Sequence, residues 1–391
     1  MTDNHIYLLA NRPHQQCSRC VMDTTAPDIS FNENGVCNFC TEFLQRSAHI
    51  IHEDEASKLR RLQHLVAAVR REGRNKAYDC IVGISGGVDS SWTLVEAKRL
   101  GLRPLAVHMD NGWNSELAQN NIANLITSLG VDLYTYVIDW NEYKGLMQAF
   151  FDADVIDVEL LYDNAMLGVC HKQARKYGIK YILSGSNQVT EGILMPKGWN
   201  WYKRDVLNIQ SIARKHGDVR LKTFPAYSTL DYMLDEIRGI RWIPFLDFLP
   251  FDKFKAMTSL ERSYGYKRYP YKHYESIFTR FYQGYILPRK FGVDKRLLHL
   301  STLVASGQMS RDEALVSLGE IPYPSLKDLE DDVAYFLKKM IWSQSDLETY
   351  IQRPETSHDF YPSEAKYFAL FSHVVNRAPK LKKLIRKLIQ K

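Results

Sequence analysis

The run Tyr78-Asp79-Cys80-Ile81-Val82-Gly83-Ile84-Ser85-Gly86-Gly87-Val88-Asp89-Ser90-Ser91 sets an apolar strand directly against a glycine-rich turn and a helix start. Paired glycines let backbone come close to an anion, and the free amides that open a helix point toward it. The hydroxyls of Ser85 and Ser90 add donors, and Asp89 stands where a carboxylate can hold Mg²⁺ against phosphates. The turn has no lysine, which separates it from GxxxxGK[ST], and its spacing is not that of GxGxxG.

Outward from this run, strand and helix signals alternate. Tyr78 to Ile84 reads as a buried strand. The spacing predicts a helix over 88–100 stopped by Gly101, a strand over 104–109 and a helix over 115–129 ended by Gly130. A strand over 131–138, helices near 142–151 and 163–177, and a strand over 180–184 follow. Such alternation implies right-handed crossovers and an α/β fold: a parallel, doubly wound sheet, with ligands outside the carboxyl ends of its strands. Residues 55–73 carry apolar side chains on one helical face and predict a linking helix. Residues 230–251 are strongly apolar and read as helical before Pro244. Beyond Leu297 the pattern is one of amphipathic helices broken at Pro322, Pro324, Pro354, Pro362 and Pro379. The expected organisation is a cysteine module over 1–54, a nucleotide-binding domain over 55–260, and a helical basic and aromatic region over 261–391.

Cys17-x2-Cys20-x16-Cys37-x2-Cys40 has the spacing of two metal knuckles. Four thiolates suit tetrahedral Zn²⁺, and because all four positions are filled, the site is expected to be structural. An iron–sulfur cluster is the minority alternative. Cys80 falls inside a strand and Cys170 inside a helix, so both read as core residues.

Composition narrows the function. The 391 residues are 45% hydrophobic and 25% charged, which excludes collagen-like, low-complexity and disordered classes. The net charge of +6 equals the six basic side chains of the tail Lys380 to Lys391, so the body is near neutral. No broad nucleic-acid footprint is therefore expected. No run of about 18 apolar residues is present for a membrane span. The N-terminus lacks a secretory pattern, so the expected location is the cytoplasm. The tail is amphipathic; a helix docked on its own domain is preferred over contact with an anionic membrane.

The turn Ser85-Gly86-Gly87-Val88-Asp89-Ser90 resembles the PP-loop, SGGxDS, of the N-type ATP pyrophosphatases, with their adenine nucleotide α-hydrolase-like fold. The resemblance implies ATP and Mg²⁺, bound through Ser85, Gly86, Gly87, Asp89 and Ser90. It also implies an adenine site at His108 and Met109, where the second strand ends before Asp110. Asp110 reads equally well as a helix cap. The fourth strand ends Ser184-Gly185-Ser186-Asn187-Gln188-Val189-Thr190-Glu191, similar to the G-T-x-N-x-x-E of NAD synthetase. That similarity implies Gly185 at the nucleotide and Glu191 as a second Mg²⁺ carboxylate.

A third segment, Lys267 to Ser301, is crowded with Tyr, Lys and Arg, and Lys203-Arg204 ends another aromatic stretch. Physically, these offer cations for phosphates or a carboxylate and aromatic faces for a ring. A helical face packed on the sheet is the plainer reading. The cysteine head, the ISGGVDSS loop and the KHYESIFTRFYQGYILPRKFGVDKR segment together resemble the N-acetyl sugar amidotransferase family, with its WbpG-type and PseA-type members.

The resemblance implies ATP-dependent conversion of an acetamido to an acetamidino group on a nucleotide-activated (UDP-linked) or nonulosonic sugar, for a bacterial surface polysaccharide, the O-antigen of lipopolysaccharide. Lys272, Glu275 and Arg280 are the implied catalytic side chains, and Lys203, Arg204 and Lys267 the substrate contacts. The chain shows no Cys–His–Glu glutaminase. The resemblance implies a separate HisH-like subunit supplying ammonia, with a HisF-like subunit as companion. The rival enzyme reading is a tRNA sulfurtransferase, which needs a reactive cysteine near the loop.

Overall fold

The computed structural model describes residues 13–217, 219–269 and 274–369. Five parallel strands, β1 (Cys80–Gly83), β2 (Pro104–Asp110), β3 (Asp132–Val137), β4 (Tyr181–Ser184) and β5 (Arg241–Pro244), form one sheet in the order β3-β2-β1-β4-β5. Alternation within the central strands β1, β2 and β4 feeds two cores. Ile81, Leu105, Val107 and Ile182 face the helices Trp140–Asp152, Leu160–Lys176 and Val206–Gly217. Val82, Ile84, Ala106 and Leu183 face the helices Glu55–Gly73, Val88–Arg99, Glu116–Leu129 and Lys253–Tyr264. The centre of the sheet is thus buried on both sides, as expected of parallel strands, while the edge strand β3 stays largely exposed.

Local chemistry explains the boundaries. Ser115, not Asp110, caps Glu116–Leu129, accepting from the Ala118 amide at 3.2 Å. Asp110 instead closes its own turn, accepting from the Gly112 amide at 2.8 Å. The helix expected before Pro244 stops at Arg238, because Gly239 takes a left-handed φ of 82°. After Ile240, Arg241–Pro244 form β5, a strand the hydropathy pattern hides. Its terminal Pro244 needs no ladder donor at the sheet's edge.

The cysteine module comes first and leads into the helix Asn38–Ile51. At the other end, Ile277–Phe281 runs into a π-helical stretch, Tyr282–Phe291, with Pro288 inside it. Helices Lys295–Ala305, Arg311–Gly319, Leu326–Met340 and Gln344–Gln352 follow. Phe336 packs among Trp113, Phe278, Phe281 and Trp342, fastening this region to the loop after β2. Among the described residues, no helix is long and apolar enough to cross a membrane.

His358 holds the last described segment in place. Its ring is buried, 2.7 Å from Asn208 Oδ1 and 4.9 Å from the Trp201 ring, and burial pushes its pKa down to about 4. Below the ordinary value near 6.5, the unfolded chain takes a proton that the folded one refuses. Stability should therefore fall by roughly 3 kcal/mol between pH 6.5 and pH 4 from this group alone. Denaturant titrations across that window should show a shallower slope in His358→Gln.

Candidate active site

Two chambers adjoin at the carboxyl ends of the strands. One, about 360 Å³, is lined by Ser85, Gly87, Asp89, Ser90, Gly185 and Glu191. Its neighbour, about 540 Å³, is lined by Glu159, Asp163, Lys203, Gln283, Lys295 and His299. Ser85, Tyr162, Glu191 and Glu275 line both. The chambers open where β1 and β4 lie side by side, the point at which the chain's crossovers part in opposite directions.

The turn after β1 is shaped by its glycines. Gly86 has a φ of 87°, and a Cβ there would stand 2.9 Å from the Ala118 carbonyl oxygen. A Cβ on Gly185 would stand 2.8 Å from the Asp89 carbonyl carbon and the Ser90 nitrogen, so the end of β4 rests on the loop backbone. Ser90 Oγ accepts from the Ser85 amide at 3.3 Å, folding the turn on itself. Asp89 opens the helix Val88–Arg99, and its Oδ2 accepts from Thr190 Oγ1 at 3.0 Å. That bond joins the loop to the short turn bearing Glu191.

Glu275 arrives from far along the chain. Residues 113–115 and 275–277 pair antiparallel: the Ser115 amide donates to the Glu275 carbonyl at 2.9 Å, and the Ile277 amide to the Trp113 carbonyl at 2.8 Å. The Glu275 carboxylate then reaches the loop, where a Cβ on Gly87 would be 3.2 Å from its Oε1. The pattern of the sequence marked Glu275 but gave no sign of this pairing.

The larger chamber holds a network of buried charge. Lys203 Nζ lies 2.6 Å from Asp157 Oδ2 and 2.9 Å from Asp163. Burial pulls the Lys203 ammonium down, but the two carboxylates outweigh it and hold its pKa above the usual lysine value. Burial pulls Asp157 upward, yet Lys203 and Lys295 overbalance it, so its pKa lies below the usual carboxylate range. Asp163 moves the other way: desolvation by the surrounding protein, with the neighbouring Asp157 carboxylate, raises it, although its side chain keeps an opening to the chamber. Lys295 Nζ meets Glu159 Oε2 at 2.6 Å, and Gln283 Nε2 donates to the same carboxylate at 2.9 Å. Asp157, Glu159, Asp163, Gln283 and Lys295 were not singled out from sequence. The signal was available in Val155-Ile156-Asp157-Val158-Glu159-Leu160, where acids interrupt an apolar run.

Other expected residues sit elsewhere. His108 and Met109 are buried within β2 and line neither chamber. His108 Nδ1 pairs with the Ile84 carbonyl at 2.9 Å and its Nε2 with Asn114 Nδ2 at 3.1 Å, tying β2 to the loop. Burial keeps this imidazole below its usual pKa. Arg204 stacks on the Tyr232 ring at 4.1 Å. Lys267 is exposed, its backbone paired with the Asn121 side chain. Arg280 is gripped by Asp332 through two 2.6 Å bonds and borders a third cavity, not the two chambers. Lys272 and the basic tail Lys380 to Lys391 lie outside the described residues. Ser85, Gly87, Asp89, Ser90, Gly185, Glu191, Glu275 and Lys203 are the ones brought together at the chambers, while Gly86 turns against Ala118 beside them.

Cys17, Cys20, Cys37 and Cys40 are buried, without disulfides, and their Sγ atoms all lie within 4.8 Å of one another. Cys20 Sγ and Cys37 Sγ are 3.8 Å apart, against about 3.8 Å for two thiolates on a tetrahedral zinc. Backbone amides of Cys20 and Cys37 donate to Cys17 Sγ at 3.4 and 3.3 Å, the support that thiolate ligands receive around a metal. The donor set fits a structural Zn²⁺. Cys80 and Cys170 are buried, and burial pushes Cys170 up to about 12 and Cys80 higher, so neither is a low-pKa thiol.

Residues 275–375 match the family model "LPS biosynthesis protein WbpG-like, C-terminal domain". A GMP synthase (glutamine-hydrolyzing) of Pyrobaculum aerophilum is 34% identical over 108 residues, 27% of this chain and 20% of that protein. The match thus spans about a fifth of its length. Among solved structures, an NMN synthetase from Francisella tularensis aligns over 55% of this chain and 97% of its own, at 16% identity and a TM-score of 0.28. An NH3-dependent NAD synthetase from Campylobacter jejuni aligns over 52% and 92%, at 15% identity and the same TM-score. The fold rests on its own strand order rather than on these two likenesses.

Lys203→Met should destabilise the protein by about 3 kcal/mol, because Asp157 would be left buried without its cation. Adding Asp157→Asn should recover most of that loss. Denaturant midpoints of the single and double variants measure it, and a loss no larger than that of a surface lysine would contradict the network.

Proposed function

We propose that the chain is an ATP-dependent amidotransferase that converts an acetamido group of a nucleotide-linked sugar to an acetamidino group. The observation that carries this reading is the shared wall: Ser85, Tyr162, Glu191 and Glu275 border both a glycine-rich chamber and a polar one. ATP in the smaller chamber and sugar in the larger would meet at those four side chains. The reading is also supported by the WbpG-like match, which begins at Glu275.

Amides a helix start offers, at Gly87 and Val88, would receive the triphosphate. Asp89 and Glu191 would hold Mg²⁺, which supplies charge neutralisation for the departing pyrophosphate. The acetamido oxygen attacks the α-phosphorus, the α–β bridge breaks, and pyrophosphate leaves. Glu275 takes the proton from the acetamido nitrogen, completing an O-adenylyl imidate. Ammonia adds to the imidate carbon, the C–O bond breaks, and AMP departs with the original oxygen. Adenylation is needed because an amide oxygen is otherwise a poor leaving group. In the larger chamber, the Glu159 and Asp163 carboxylates would accept from sugar hydroxyls, with Lys295 and Lys203 fixing their directions through the ion pairs.

The setting that goes with this activity is cytoplasmic O-antigen synthesis, with ammonia from a separate HisH-like glutaminase and a HisF-like companion. Zinc at the four thiols is structural. A tRNA sulfurtransferase fits less well, because its chemistry needs a reactive thiol and both spare cysteines are buried.

Incubation with Mg-ATP, ammonium chloride and UDP-2,3-diacetamido-2,3-dideoxy-mannuronic acid should yield AMP and pyrophosphate only when sugar is present. The sugar should lose oxygen and gain NH. Glu275→Gln should lower kcat by about a hundredfold while the protein stays folded. ADP and phosphate as products, or AMP formed with tRNA in place of sugar, would overturn the proposal.

A further inference from the structure

The cysteine module and the Glu191 turn are far apart in sequence and joined in space. Cys37 caps the helix Asn38–Ile51, its Sγ accepting from the Cys40 amide, so the two thiols of the second knuckle fix where that helix begins. From Phe43 to Ser47, the same helix meets the turn Asn187–Gly192. Ser47 Oγ donates to Gln188 Oε1 at 2.7 Å, and the Arg46 guanidinium donates to the Gly192 carbonyl. Phe43 lies so close that a Cβ on Gly192 would come within 2.4 Å of its ring. From that turn, Thr190 Oγ1 donates to Asp89 on the nucleotide loop. Thus the path from the second knuckle to the loop runs through one helix, one short turn and one hydrogen bond.

The first knuckle is anchored separately. Arg311 donates to the Cys20 and Cys17 carbonyls at 3.0 Å each, and Ser301 Oγ accepts from the Val21 amide at 3.2 Å. A metal bridging both knuckles would therefore tie the helix Asn38–Ile51 to the helices Lys295–Ala305 and Arg311–Gly319. The turn's other supports, Asp247 Oδ1 at the Gln188 amide and Ser306 Oγ at the Val189 carbonyl, do not pass through the module.

We propose that the four-cysteine module is a positioning device for the Asn187–Gly192 turn, with Phe43, Arg46 and Ser47 passing the order of the metal site to Asp89 and Glu191. Metal at the thiols then sets how well the nucleotide chamber is formed, although it lies outside that chamber. The consequence for nucleotide rests on the ATP reading given above; the consequence for the turn does not.

Amide hydrogen exchange on the full chain, without nucleotide, tests it. Protein stripped with a chelator and returned to Mg²⁺ should lose protection over 187–192 and 38–51, while β1 and the helix Leu160–Lys176 keep theirs. Arg46→Ala, with its zinc content intact, should reproduce the loss over 187–192, and Arg46→Lys should restore protection. The KM for Mg-ATP should rise about tenfold in Arg46→Ala with kcat little changed. Ser18→Ala, which removes a 2.8 Å bond to the Asn34 carbonyl within the module but nothing toward the turn, should leave 187–192 protected. Unchanged protection over 187–192 in both stripped protein and Arg46→Ala would overturn the proposal. Absence of Mg-ATP binding by the wild type, with exchange behaving as expected, would instead sink the ATP reading and leave the positioning role standing.

Discussion

The backbone of Gly185 rests on the backbone of Asp89 and Ser90, and the site follows from that contact. It requires β1 and β4 to be neighbours, which the sheet order supplies, and a residue without a Cβ at the end of β4. With the two strand ends this close, the loop after β1 and the turn after β4 share one wall. Asp89 and Glu191 are carried to a single chamber by it. The crossovers then leave in opposite directions, opening a crevice beside the loop rather than a flat edge. A bulky side chain at 185 would separate the strand ends and with them the two carboxylates.

Charge in the larger chamber obeys a different constraint. Burying Asp157 and Glu159 costs desolvation, and each is matched by a lysine with well-formed hydrogen bonds. Such pairs add little net stability compared with apolar replacements, and losing one partner is expensive. Their presence beside a cavity is better understood as holding polar groups in fixed directions for a polar ligand. Asp163, still 43% open at its side chain, is the member of the network that faces the chamber most freely.

Much of the architecture was legible in the residues. Apolar runs of strand length followed by helical periodicity located β1 to β4, and Gly101 and Gly130 ended helices where their left-handed conformations do. β5 was hidden because four residues after a helix cap carry no usable period. The loop glycines, Asp89, Glu191 and Glu275 were readable because their spacing is local or their chemistry unusual. The arginines lie outside the two chambers for a physical reason: a guanidinium in a basic, aromatic stretch serves equally well as a packing element, and Arg204 and Arg280 are held by Tyr232 and Asp332. Partners so distant in sequence leave no mark on any short window. The pairing of Lys203 with Asp157 and Asp163 escaped for the same reason, since it joins the lysine to acids 40 or more positions earlier, although the interrupted apolar run 155–160 already marked Asp157.

On the proposed chemistry, the loop activates a carbonyl oxygen by attaching AMP to it, and that oxygen then leaves with the nucleotide. Oxygen tracing tests this most directly. With ¹⁸O in the acetamido carbonyl of the sugar, the account predicts one ¹⁸O in the phosphate of the AMP released and none in pyrophosphate. Recovery of unlabelled AMP from turnover that amidinates the sugar would contradict it.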